Sequence, residues 1–205
     1  MFESAELGYT VDKAKYNKEV PKLREELLET QLDLHESRKF QVIILIGGVD
    51  GAGKSETVKI LNEWMDPRFI ETNAMGASTE EELAHPPMWR FWRSLPPKGK
   101  IGIFFGSWYT EPIINRVYGN IKGAELDQAM ERIVRFEKML SDEGALILKF
   151  WLHLSKDAQK KRLHMLEKNP ETRWRVTDME WAHFKLYDKF RKISERALLK
   201  TNTAE

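Results

Sequence analysis

Residues 41–48, QVIILIGG, pass without a break from aliphatic side chains into glycine, and a lysine–serine pair follows at 54–55. A continuous β-branched run of this length reads as a strand buried on both faces. SETVKILNEWM (55–65) then carries helical periodicity and is closed by Asp66-Pro67. A buried strand that turns within a few glycine-rich residues into a helix opens a parallel β-α-β unit. The chain is therefore expected to be α/β, a parallel sheet flanked by helices on both sides.

The rest of the chain reads consistently with that start. RFIETN (68–73), IGIFFGSWY (101–109) and ALILKFWLHL (145–154) are the further strand candidates. A helix is expected over 125–140, with Leu126, Met130, Ile133 and Leu140 on one face and Gly144 as its stop. Residues 156–168 and 178–199 also read as helices. At the N-terminus Val20, Leu23, Leu27 and Leu34 share a face of a helix starting at Pro21, where the missing N–H is harmless. This segment is expected to pack on the domain as an arm. Residues 74–100 mix loop with the aromatic segment MWRFWRSL.

The glycine turn itself, Gly48-Val49-Asp50-Gly51-Ala52-Gly53-Lys54-Ser55, fits G-x-x-x-x-G-K-[ST]. The chemistry needs these residue types at this spacing. Successive backbone N–H groups must converge on phosphate oxygens, which a Cβ at the tight positions would obstruct. The helix that follows presents its positive end to the anion. Lys54 would neutralise phosphate charge, and Ser55 would offer a hydroxyl to Mg²⁺. Two readings of Asp50 stand at this stage. Either it holds Mg²⁺ or orients the attacking phosphate, or it points outward and caps the turn.

Composition excludes several classes. Lysine and arginine (33) nearly balance aspartate and glutamate (32), which argues against nucleic acid as a partner. The absence of cysteine removes disulfides and thiolate zinc sites and fits a cytoplasmic protein. The N-terminal MFESAELGYTVDK lacks the pattern of a secretory leader, and VIILI is too short to cross a bilayer. The charge is uneven, however. Residues 156–205 carry thirteen basic against eight acidic side chains.

With these residues in hand, the chain resembles the family-2 polyphosphate kinases, nearest the N-terminal module of the two-module polyphosphate:AMP phosphotransferases. Four blocks carry the likeness over about residues 13–200. They are GGVDGAGKSETVKILNEWMDPR, PPMWRFWRSLPPKGKIGIFFGSWY, FEKMLSDEGALILKFWLHLSKDAQKKRL and NPETRWRV. The resemblance implies a P-loop kinase-like fold and Mg²⁺-dependent transfer between inorganic polyphosphate and a nucleoside mono- or diphosphate. It implies catalytic roles for Asp50 and Lys54, with Asp50 and Ser55 on the metal. Phosphate would be held by Gly48, Gly51, Gly53, Lys54 and Ser55, with Arg90 in reach. A basic helical lid would add Lys160, Arg162, Arg173 and Arg175. The expected division of 1–205 is then one domain: an arm (1–40), a core (41–154), and a lid with C-terminal helices (155–200). The same likeness implies a fragment of a longer protein that partners a second homologous domain or assembles as a homo-oligomer.

Three departures qualify what the resemblance implies. Catalytic members carry Asp-Arg where this chain has Phe105-Gly106. An arginine expected in the lid is Leu166, and a lid aspartate is Glu180. Losing one transition-state donor lowers rates by roughly 10²–10³, so weak turnover or a degenerate structural module is expected. Restoring Asp and Arg at 105 and 106 is expected to raise residual activity. Trp89, Phe91 and Trp92 either stack a base or pack the core, and Ser107 and Tyr109 either touch substrate or pack. The five histidines show no metal-binding spacing and receive no role.

Overall fold

The computed structural model describes residues 1–202; the last three positions of the expected 1–205 domain lie outside the described residues. Four parallel strands form the sheet: β1 (Val42–Gly48), β2 (Ile70–Ala74), β3 (Ile101–Phe105) and β4 (Leu146–Leu152), in the order β2-β3-β1-β4. Val42 is in register with Ile101 on one side and Leu146 on the other. β1 alternates between two cores, as a strand covered on both faces must. Ile43 and Leu45 join Phe104, Trp108, Ile133 and Phe136 on one face. Val42, Ile44 and Ile46 join Leu34, Met65 and Ile103 on the other.

The helices are α1 (Lys13–Ser37), α2 (Lys54–Trp64), α3 (Glu80–Leu83), α4 (Trp89–Arg93), α5 (Thr110–Tyr118), α6 (Gly123–Asp142), α7 (Lys156–Lys168), α8 (Asp178–Lys185) and α9 (Tyr187–Lys200). α1 starts earlier than expected. Asp12 caps it by accepting from the Lys15 amide, and Pro21 lies inside it. Proline there leaves the Asn17 carbonyl without a helical donor, which is tolerable because residues 13–19 are all exposed. Of the expected arm face, Leu34 is buried and Leu27 partly buried, while Leu23 is half exposed. The arm is held at its later half, where Gln31 makes paired hydrogen bonds with the backbone of Asp66.

Other boundaries move as well. A 3₁₀ turn (Pro67–Phe69) precedes β2, which replaces the expected strand at 68–73. β3 stops at Phe105 rather than at 109, and 110–118, unassigned from the sequence, is α5. The expected helix at 178–199 is two helices that meet at Leu186. β4, expected at 145–154, is an edge strand, and its Leu146, Leu148 and Phe150 are exposed.

Candidate active site

The glycine loop joins β1 to α2 at the C-terminal edge of the sheet, where ligands of open α/β sheets bind. Its first residue is pressed against β4. A Cβ on Gly48 would stand 2.0 Å from the Leu152 carbonyl oxygen, so no other residue fits without moving backbone. The Val49 amide donates to that same oxygen at 3.0 Å. Gly53 caps α2 in the left-handed conformation, and Lys54 is the first helical residue.

Lys54 folds back over the loop. Its Nζ donates to the carbonyls of Gly48 and Val49, both at 2.9 Å, and lies 3.3 Å from Asp50 Oδ1. Asp50 points inward, which excludes the outward cap. Its Oδ2 accepts from His183 Nδ1 at 2.7 Å, across from α8. Burial pushes the Asp50 carboxyl up, but the bond from His183 and the charge of Lys54 outweigh it. The group sits below its ordinary value and is ionised.

A cavity of about 440 Å³ opens off the loop, with Asp50, Lys54, Phe105, Ile113, Trp151 and His183 among its walls. Ser107 and Tyr109 also line it, while none of Trp89, Phe91 and Trp92 does. Phe91 is buried in the core, Trp89 stacks on His85 and Trp92 packs edge-on against Phe136. These aromatics are packing residues.

The expected phosphate contacts separate into two groups. Gly48, Gly51, Gly53 and Lys54 form the loop, Ser55 stands exposed in the first turn of α2, and Arg162 lies against Gly51. Arg175 is paired with Glu56, in the first turn of α2. Lys160 and Arg173 are exposed on the lid, with no ion pair among the described residues. Arg90 is turned elsewhere. It bonds Ser78 Oγ at 2.9 Å and the Gly76 carbonyl at 3.2 Å, and lies 3.4 Å from Glu82.

Phe105 closes β3, and Gly106 follows at φ +82 with a built Cβ only 2.4 Å from the Met75 carbonyl oxygen. An arginine at 106 would therefore strain the backbone and strike Met75, so restoring both residues is not the clean reversal expected from the sequence. Among the described residues no group of three histidine, aspartate or glutamate side chains is placed to hold a metal. The donors at the loop, one carboxylate and one hydroxyl, still suit Mg²⁺, which takes most of its oxygens from phosphate and water.

Two residues that sequence reading missed reach this site from the lid. His183 bonds the Asp50 side chain, and Gln159 Nε2 donates to the Asp50 carbonyl oxygen at 3.0 Å. Neither has a local signal, because each is separated from Asp50 by more than a hundred residues.

A parallel sheet with a glycine loop entering a lysine-headed helix, covered by a helical lid, defines a P-loop kinase-like protein. The chain belongs to the polyphosphate kinase 2 family, whose model matches residues 10–205. It is 55% identical over 202 residues to a polyphosphate:AMP phosphotransferase of Pseudomonas syringae pv. tomato, covering 98% of this chain and 41% of that protein. An AMP/ADP-polyphosphate phosphotransferase of Meiothermus ruber is 32% identical over 181 residues, covering 88% of this chain and 68% of that one. The crystal structure of polyphosphate kinase 2 from Arthrobacter aurescens superimposes with a TM-score of 0.91 at 31% identity, covering 97% of this chain and 71% of that chain. No helix of the described residues is long and apolar enough to cross a membrane.

Proposed function

We propose that this chain takes part in Mg²⁺-dependent phosphoryl transfer between inorganic polyphosphate and AMP or ADP, in a cytoplasmic setting, with turnover weak in this module alone. The observation that carries the reading is Lys54 at the head of α2, beside Asp50 and at the mouth of a cavity. Its three N–H donors are now given to two loop carbonyls and a carboxylate. A phosphate entering the loop would draw them onto its own oxygens, where the charge-assisted bonds are stronger. Backbone amides of the loop and the α2 N-terminus would orient the anion. Arg162, standing on Gly51, would cover it from the lid.

Asp50 and Ser55 are the residues that would hold Mg²⁺, which when bound neutralises charge on the phosphoryl oxygens. Lys160 and Arg173, both exposed, would guide the distal phosphates of a long chain.

A second reading is a degenerate module that partners a homologous domain or a second copy. Phe105 favours it, because an aromatic ring lines the cavity at the position where the family resemblance implies a carboxylate. The deciding assay mixes polyphosphate and AMP with Mg²⁺ and compares this chain with Lys54→Ala. Slow product formation that disappears in Lys54→Ala supports transfer. Equal rates in both chains would overturn it, and binding of polyphosphate without turnover would favour the second reading.

A further inference from the structure

The charged atoms of the glycine loop are all engaged by the protein's own groups. Lys54 gives its three donors inside the loop, and each Asp50 oxygen accepts one bond, Oδ1 from Lys54 and Oδ2 from His183. The second of these contacts comes from the lid. α8 brings His183 in, α7 brings Gln159 onto the Asp50 backbone, and the turn between them brings Arg175 onto Glu56. The His183 ring is seated, not loosely placed. It lies edge-on to Phe190 at 5.0 Å and beside Tyr118 at 6.0 Å, with its side chain 17% exposed.

We infer that His183 is a latch: its imidazole is bonded to Asp50 Oδ2 and stands on the cavity side of that oxygen, where a divalent cation and its waters would enter, so that α8 is displaced when the loop takes its ligand. The inference rests on the reading of Asp50 as a cation position. The imidazole N–H, 2.7 Å from Oδ2, takes one of that oxygen's lone pairs and its ring stands on the cavity side, so a hydrated cation entering there would exchange that bond for its own. Binding is weakened by the cost of that exchange, and removing His183 returns it. Because the ring also lines the cavity, its departure uncovers Asp50 and the cavity together. α8 then acts by competition for one loop carboxylate, apart from Arg162 of α7, which stands over Gly51.

The test uses Mn²⁺ alone, with binding read from the paramagnetic resonance of the free ion, so that no turnover is needed. His183→Phe keeps the ring against Phe190 and Tyr118 but removes Nδ1, and His183→Ala removes both. His183→Phe is expected to bind Mn²⁺ about tenfold more tightly than the unaltered chain, the worth of one hydrogen bond to a charged group. The gain should vanish when Asp50→Asn is added. Unchanged affinity in a folded His183→Phe, or no Mn²⁺ binding in any chain, overturns the latch.

The second arm needs no variant. Hydrogen exchange of α8 amides in the unaltered chain should rise when Mn²⁺ is added, and slower or unchanged exchange overturns the latch. Tripolyphosphate binding without metal, compared with Lys54→Ala, tests the phosphate reading separately, so the two fail by different signals.

Discussion

The carboxylate of Glu137 on α6 and the ammonium of Lys149 on β4 stand 2.9 Å apart, and through them the floor of the cavity is tied to the end of α9. Glu137 also accepts from the Trp108 indole at 3.0 Å and the Tyr109 hydroxyl at 2.8 Å. Lys149 donates in addition to the Thr201 carbonyl. Burial, reinforced by the Glu137 charge, pushes the Tyr109 hydroxyl well above its ordinary value, so it stays a donor. Glu137→Ala leaves the Trp108 and Tyr109 donors without their acceptor and takes the carboxylate from Lys149, which keeps only the Thr201 carbonyl, and is expected to lower stability by about 3 kcal/mol. Denaturant unfolding checks this, and Glu137→Gln should lose less because it keeps one acceptor.

At the end of β3 the two departures from the family pattern behave differently. Gly106→Arg is expected to lower stability by about 2–4 kcal/mol, from the positive φ and the clash with Met75. Phe105→Asp faces the cavity and is expected to fold. A carboxylate added there should also tighten Mn²⁺ binding at Asp50. Unfolding midpoints of the two single variants, followed by titration with Mn²⁺, separate these effects.

A pH prediction follows from the turn before β2. The hydrogen bonds from the Arg68 guanidinium and then its amide hold the Asp66 carboxyl down to about 2. A depressed value means that this contact's stability is complete above the unfolded value near 4 and is lost as pH falls toward 2. An NMR titration of Asp66 should show a midpoint near 2, moving up toward the ordinary value in Arg68→Ala. A midpoint of 4 in the unaltered chain would contradict the geometry.

Lys160 and Arg173 predict how salt acts on the binding of long polyphosphate. Exposed charges are screened over about 10 Å at 0.1 M salt. Affinity for a long chain should therefore fall steeply between 0.05 and 0.3 M (estimated from that screening length). The double variant Lys160→Ala/Arg173→Ala should flatten the slope while leaving the unfolding free energy within roughly 0.5 kcal/mol, as for other exposed sites. Titrations at several ionic strengths provide the comparison.

The stretch from Val42 to Trp64 was legible in the sequence because two strong local signals, a buried strand and a glycine-lysine turn, agree there. β3 was not legible at its end. Trp108 and Tyr109 are as buried as the strand, so apolar content continued past the point where Gly106 turns the backbone. The start of α1 had a local sign in Asp12, but Pro21 suggested a later beginning. His183 was beyond reach for a different reason. Its role depends on a partner 133 residues away, and no spacing within the chain encodes that meeting.

The pressing of Gly48 onto Leu152 also sets an order of events during folding. The whole glycine loop is encoded within the first third of the chain, yet its first turn is shaped by a strand that ends at residue 152. Pairing between parallel strands so distant in sequence is slow, because the long intervening segment must be closed first. A nascent chain that has emerged only as far as β3 therefore carries the loop's residues without the wall that shapes their entry. On a ribosome, the cradle would take form late, after the part of the chain that spells it out.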